Sequence, residues 1–240
     1  MNDFRKQLYS SYETKFNRLI TNVTDEDLKS QADHYKVKLL PHISKFNSNA
    51  KVLELGCGPG YLLDFLSKNG FNNLTGIDIS SEQIQIAKSK GFNAIEMDVV
   101  EYLGQNSNKC DIIFALDFIE HFNKDELFAL FKLINLNLDV NGLLILRTPN
   151  GEGLFPNSII YGDLTHQTIL NKNSLSQLLS YSGFESFSYF ENSPIMKNLQ
   201  GIVRRSLWEI IKILLNFIRL IETGQVQKLW TRDFYCIAKK

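Results

Sequence analysis

The chain has 240 residues, 44% of them hydrophobic, which is enough apolar material for one domain with a sizeable core and excludes a disordered chain. Lysine plus arginine and aspartate plus glutamate number 26 each, so the formal charge is zero and nucleic acid is disfavoured as a partner. Three widely spaced cysteines (Cys57, Cys110 and Cys236), with no C-x-x-C, read as reduced thiols of a cytoplasmic protein. Residues 1–48 read as a helical cap, and the polar stretch from Met1 to Phe16 lacks the apolar run of a secretory signal. From Lys51 onward strand and helix patterns alternate. Strands are expected over Lys51–Leu55, Leu74–Ile79, Asn93–Met97, Asp111–Leu116 and Leu143–Arg147, with two more over Phe184–Phe190 and Asp233–Ala238. Helices are expected over Gly60–Lys68, Ser81–Lys90, Lys124–Leu138 and Asn173–Ser182. The alternation predicts an α/β fold: a Rossmann-like, seven-stranded, mostly parallel sheet with helices on both faces. The expected units are a cap at 1–48, a core at 49–194, a helical insertion at 195–226 and a final core strand at 227–240.

The stretch Val52-Leu53-Glu54-Leu55-Gly56-Cys57-Gly58-Pro59-Gly60 joins the first strand to the first core helix. Glycines there let the chain turn sharply and let a ligand lie against bare backbone, an arrangement suited to a nucleotide. The dinucleotide fingerprint G-x-G-x-x-G would place its third glycine at Tyr61. The departure counts against NAD or FAD. Acidic side chains then end successive strands. Asp78, with Ile79 beside it, sits about 20 residues after the turn, where a carboxylate can accept hydrogen bonds from ribose hydroxyls. Asp98, followed by Val99, ends the third strand, and Leu116-Asp117 ends the fourth. Each acid alone has a plainer explanation: Asp78 as a turn residue, Asp98 as the cap of a following helix.

The G-x-G-x-G run resembles the first motif of class I S-adenosylmethionine (SAM)-dependent methyltransferases. That resemblance implies SAM as cofactor, bound by Glu54, Gly56, Cys57, Gly58, Gly60, Asp78, Ile79, Asp98, Val99 and Leu116, with Asp98 on the adenine and Leu116-Asp117 at the methionine end. It also implies that the N-terminal cap, with Tyr9, Tyr12, His34 and Tyr35, lids the pocket, which adds Tyr35 to the cofactor set. For these aromatics, packing in the core is an equal alternative. Asp117-Phe118-Ile119-Glu120-His121, Thr148-Pro149-Asn150, Tyr161-Gly162-Asp163-Leu164-Thr165-His166 and Ile221-Glu222-Thr223-Gly224 are similar to a bacterial subgroup of polysaccharide- and capsule-pathway methyltransferases. Ubiquinone-type O-methyltransferases are its relatives. This likeness implies an O-methyltransferase acting on a hydroxyl of a sugar or sugar-linked unit. A quinone precursor, a phosphate or phosphoramidate group and an RNA 2′-hydroxyl are the alternative acceptors, and a SAM-binding scaffold without turnover is the alternative of another class.

Asp117, Glu120 and His121 are spaced to project from one face if a helical turn follows the fourth strand. Similar acid-x-x-Glu-His runs bind metal in ubiquinone-type enzymes and in the small-RNA 2′-O-methyltransferases, and the resemblance to the latter adds His166 to a candidate set for Mg²⁺ or Mn²⁺. A metal-free site is the competing reading, with His166 alone as general base, His121 orienting the loop, Glu120 capping or pairing locally, and Asp117 in the same catalytic set. A structural role for both histidines is the third. Phe155 and Tyr161, after the fifth strand, read either as an acceptor wall or as loop anchors. Residues 202–222 carry one polar stripe (Arg205, Glu209, Lys212, Asn216, Arg219) on an otherwise apolar helix. Central charges cost about 2.5–3.5 kcal/mol each, against gains of about 0.3–0.6 per apolar residue, so Glu209 and Lys212 argue against a span. The segment is expected to pack on its own domain, to contact a second subunit, or to lie on the inner face of the membrane.

Overall fold

The computed structural model describes residues 8–9, 24–105 and 108–240. Seven strands form one sheet: β1 (Lys51–Leu55), β2 (Asn73–Asp78), β3 (Ala94–Glu96), β4 (Cys110–Leu116), β5 (Leu138–Pro149), β6 (Ser186–Glu191) and β7 (Asp233–Lys239). Their order is β3-β2-β1-β4-β5-β7-β6. Strands β1 to β5 run parallel, and β7 lies antiparallel between β5 and β6. The helices are α1 (Asp25–Lys38), α2 (Leu40–Ile43), α3 (Tyr61–Lys68), α4 (Ser81–Ser89), α5 (Val99–Gln105), α6 (Lys124–Asn137), α7 (Asn157–Ile160), α8 (Lys172–Tyr181) and α9 (Leu199–Thr223). The architecture is the Rossmann-like α/β sheet that the alternating pattern predicts. The chain order reverses between β1 and β4, and a crevice opens beyond the carboxyl ends of the strands at such a switch point.

Strand β4 shows why the sheet must be covered on both faces. Ile113 and Ala115 point into a core shared with α6 and α8, while Ile112, Phe114 and Leu116 point into one shared with α1 and α3. Side chains that alternate faces and are apolar on both define a central parallel strand. Helix α1 starts at a reciprocal cap, in which the Thr24 hydroxyl accepts from the Asp27 N–H and the Asp27 carboxylate accepts from the Thr24 N–H. Asn123 and Glu126 cap α6 in the same way, fixing where the segment after β4 turns into helix.

Three elements depart from the sequence expectation, the one-turn helix α7 in the loop after β5 among them. A short helix, α5, follows β3, because Asp98 accepts from the N–H groups of Val100 and Glu101 and starts a turn. Strand β5 begins at Leu138 instead of Leu143, with Asn141 in the left-handed region (φ 65°) before Gly142. Tyr12 lies outside the described residues. No helix among the described residues is long and apolar enough to cross a membrane.

Gly76 sets how closely β2 approaches the glycine turn. A Cβ there would lie 2.6 Å from Cys57 Sγ, 2.7 Å from Cys57 Cβ and 2.9 Å from Leu63 Cδ1. Gly76→Ala should therefore lower stability by about 1–3 kcal/mol through overpacking. Denaturant unfolding would measure it, and an unchanged midpoint would contradict this packing.

Candidate active site

The turn after β1 is built from residues in a backbone region closed to most side chains. Gly56, Gly58 and Gly60 have φ of 70°, 51° and 80°. Beta carbon at Gly56 would also strike the Phe118 ring at 2.6 Å. The N–H groups of Gly56 and Cys57 both donate to the Ile77 carbonyl, at 2.8 and 3.0 Å, tying the turn to β2. Asp78 completes the tie: one oxygen accepts from the Gly58 N–H at 2.9 Å and the other from the Ser80 N–H at 2.8 Å. One carboxylate thus holds the two loops that open α3 and α4.

A cavity lies on this clamp. Gly56, Gly58, Asp78, Ile79, Asp98 and Val99 line it, as the sequence expects of cofactor residues. Phe118, from the stretch after β4, also lines it, as do Ser80, Gln83, Met97 and Phe122, which carry no motif that would single them out. Tyr9 reaches it from the N-terminal segment and stands edge-on to His121, with ring centres 6.0 Å apart. Five expected cofactor residues are placed elsewhere. Cys57, Gly60 and Leu116 do not line the cavity; Cys57 is buried against β2 and Gly60 caps α3. Tyr35 is corrected to a core residue: its ring packs edge-on against Phe65 and its hydroxyl accepts from Gln31. Glu54 is buried beneath the turn, and its Oε2 has no hydrogen-bond partner. Burial, then the nearby Asp78 charge, pushes the Glu54 carboxyl well above the ordinary range, and burial pushes Asp78 up against its own hydrogen bonds. Two buried carboxylates beside bare backbone suit a ligand that brings hydroxyl donors and positive charge, and SAM has both.

Beyond β4 the chain makes a second special turn. Asp117 adopts φ 51°, and its N–H donates to the Arg147 carbonyl. Its carboxylate grips the Arg147 side chain, with Nε to Oδ1 at 2.8 Å. Burial would lower the Arg147 pKa, but Asp117, Tyr235 and Tyr35 together raise it and hold the guanidinium charged. This pairing corrects the expected metal set, because the Asp117 carboxylate is committed to Arg147. The remaining three do converge: Glu120, His121 and His166 place ligand atoms within 4.8 Å of one another. Glu120 is buried, its Oε2 accepts from Thr148, and burial, then Asp117, drives its carboxyl well up. Its carbonyl accepts from the N–H groups of Gln167 and Thr168, which brings the distant loop against the 3₁₀ turn Ile119–His121.

Both imidazoles have an assigned orientation. The Thr165 hydroxyl donates to Asp163 at 2.6 Å and so accepts from His121 Nδ1 at 2.8 Å. His166 Nδ1 donates to the Ile160 carbonyl at 3.2 Å. The bond to the Ile160 carbonyl leaves the His166 lone pair on Nε2, and the two ring centres lie 4.9 Å apart. Burial, then the neighbouring His166, lowers the His121 pKa to about 4.

A second cavity, of about 1040 Å³, has Arg147 in its lining. Tyr61, Phe155, Trp208 and Trp230 supply its aromatic walls, and His34, Asn192 and Asp233 its polar groups. Phe155 is therefore a cavity wall, as one sequence reading has it, whereas Tyr161 is 80% exposed and lines neither cavity.

The family described as methyltransferase domain matches residues 25–189. Among curated proteins, the ubiquinone biosynthesis O-methyltransferase of Erwinia tasmaniensis is 27% identical over 143 residues, covering 56% of this chain and 48% of that protein. The chain spans only about a third to a half of the length of the curated relatives it matches. Among solved structures, a SAM-dependent methyltransferase from Archaeoglobus fulgidus superposes with a TM-score of 0.68 at 24% identity, covering 94% of this chain and 100% of that one. Phosphoethanolamine N-methyltransferase 2 of Haemonchus contortus, solved with SAM, gives a TM-score of 0.64 at 14% identity, covering 97% and 60%.

Two outcomes check this geometry. Asp78→Ala removes the clamp and an acceptor together, so SAM affinity should fall at least about tenfold, given roughly 1.5–3 kcal/mol per hydrogen bond to a charged group. Calorimetry would measure it, and unchanged affinity would contradict the assignment. His121 titrates near 6.5 when unfolded and near 4 when folded. The unfolded chain therefore binds more protons between these values, and stability should fall as pH drops through that window. In His121→Gln the fall should be shallower, as read from denaturation midpoints at pH 7 and pH 5; parallel curves would contradict the burial of a neutral ring.

Proposed function

Because the chain belongs to the methyltransferase-domain family, we propose that it is a SAM-dependent O-methyltransferase acting on a hydroxyl of a sugar or sugar-linked acceptor. The observation that carries the reading is the glycine turn clamped by Asp78, with the buried Glu54 beneath it. When bound, SAM supplies a methyl group already activated by a sulfonium charge. The chain's own task is to hold an acceptor oxygen in line and to take its proton, and such positioning supplies much of the acceleration. Asp78 and Asp98 hold the nucleoside hydroxyls and amino group, Glu54 answers positive charge near the turn, and Phe118 and Phe122 give apolar walls.

His166 is the proposed base. A base works best with a pKa near the operating pH, and His121 is held too low for that, at about 4. His166 presents Nε2 beside it, fixed by the Ile160 carbonyl. His121 borders the cofactor cavity and orients its neighbour, and the pair of Asp117, on the first cavity, with Arg147, on the second, joins the two. The sugar preference is supported by the resemblance of the Thr148-Pro149-Asn150 and Tyr161–His166 stretches, and by a second cavity that mixes aromatic faces with polar groups. A quinone precursor is the acceptor suggested by the name of the Erwinia relative.

The convergence of Glu120, His121 and His166 favours a second reading, in which the three hold a divalent ion such as Mg²⁺ or Mn²⁺ that binds the acceptor oxygen and lowers its pKa. Methyl transfer from SAM to a panel of sugars and nucleotide sugars tests both. His166→Ala should lower kcat by about 10²–10⁴-fold with the KM for SAM unchanged. On the first reading activity survives EDTA. Loss in EDTA with recovery on Mg²⁺ or Mn²⁺ selects the second. A protein that binds SAM but methylates nothing in the panel, and is indifferent to His166→Ala, would overturn both.

A further inference from the structure

Helix α9 carries its two faces the wrong way round for the surface it lies on. A surface helix normally buries its apolar stripe and shows its polar one. Here the polar stripe is turned down. Lys212 donates to the buried Glu191 carboxylate at 2.8 Å, Arg205 bonds Ser193 and pairs with Glu209, and Asn216 accepts from the Gln227 N–H. Glu191 is itself fixed from below, because it accepts from the Trp230 N–H at 2.7 Å. No residue of the 25-residue helix is fully buried. Its outer half carries Leu207, Ile210, Leu214, Phe217, Ile218 and Ile221, each between 54% and 73% exposed. Patches beyond a few hundred Å² on a soluble protein mark an interaction site.

The charges on that outer half indicate what covers it. Only Arg204 and Glu222 stand at its edge, both exposed; Arg204 also borders the second cavity, and neither has an ion pair among the described residues. At 3.6 residues per turn their spacing is five full turns, so they lie on one flank at opposite ends of the patch. We propose that α9 pairs with the α9 of a second copy of this chain, antiparallel about a two-fold axis near Ile213. That symmetry sets Arg204 opposite Glu222 of the partner subunit, twice, and closes the apolar halves on each other. Twelve large apolar side chains of α9 are exposed, and they offer on the order of 1,000 Å² per copy, against about 800 Å² per partner in a standard interface. A lipid surface fits less well. Interfacial helices keep cations free for the headgroups, whereas Arg205 and Lys212 are committed to Glu209 and Glu191, and Glu222 would face the lipid.

Sedimentation equilibrium of the full chain should give twice the 27.6 kDa chain mass at micromolar concentration. Leu214→Glu should give the single-chain mass with SAM affinity unchanged. Arg204→Glu should weaken pairing at least about tenfold, and Arg204→Glu combined with Glu222→Arg should restore it. The charge swap decides the matter even if Leu214→Glu fails to fold. A monomeric wild type, a swap that restores nothing, or a monomer that co-sediments with phosphatidylglycerol vesicles would each overturn the proposal.

Discussion

One carboxylate joins the two loops on which the candidate site rests. Asp78 accepts from Gly58 with one oxygen and from Ser80 with the other, while the Ile77 carbonyl takes the N–H groups of Gly56 and Cys57. Three positive φ values hold the turn in a shape that only glycine adopts without strain. Gly76 lets β2 come close enough for these bonds to form. The burial of Asp78 makes the arrangement costly when nothing else faces it, and its charge adds to the burial that raises Glu54. A ligand with hydroxyl donors and a positive centre lowers that cost. The fold of the turn and its ligand preference thus come from the same atoms.

The next strand carries the chemistry outward. Asp117, held at a positive φ, turns the chain so that its carboxylate meets Arg147 while His121 faces the cavity. The backbone bonds from Gln167 and Thr168 to Glu120 then bring His166 to its neighbour across 45 positions of sequence. In the proposed function this histidine pair supplies the base for the acceptor proton, and its two segments meet through the backbone bonds to Glu120.

Much of the core was legible because the sheet is buried on both sides. Continuous apolar runs bounded by glycine, asparagine and serine give the strands to within a few residues, and the acids at the ends of β2, β3 and β4 mark the end where the first cavity lies. The rest depended on contacts between distant segments. Tyr35 looked like a lid residue, but only the position of α1 over Phe65 decides that it is core. Asp117 looked like a metal ligand by its spacing with Glu120 and His121, but the spacing could not reveal Arg147 across the sheet. Asp98 carried two readings, and its bonds to Val100 and Glu101 add the capping role without removing it from the cavity. The polar stripe of α9 was plain in the sequence. Its direction was not, because it is fixed by Glu191, an acid buried at the end of β6.

The demethylated cofactor, S-adenosylhomocysteine, reads the clamped turn without any acceptor. Titrating it and NAD separately into the purified wild-type chain by calorimetry is the most direct test. Saturable one-to-one binding of S-adenosylhomocysteine with micromolar affinity, and no heat from NAD, is the expected result. Tight NAD binding with no response to S-adenosylhomocysteine would contradict the account at its root.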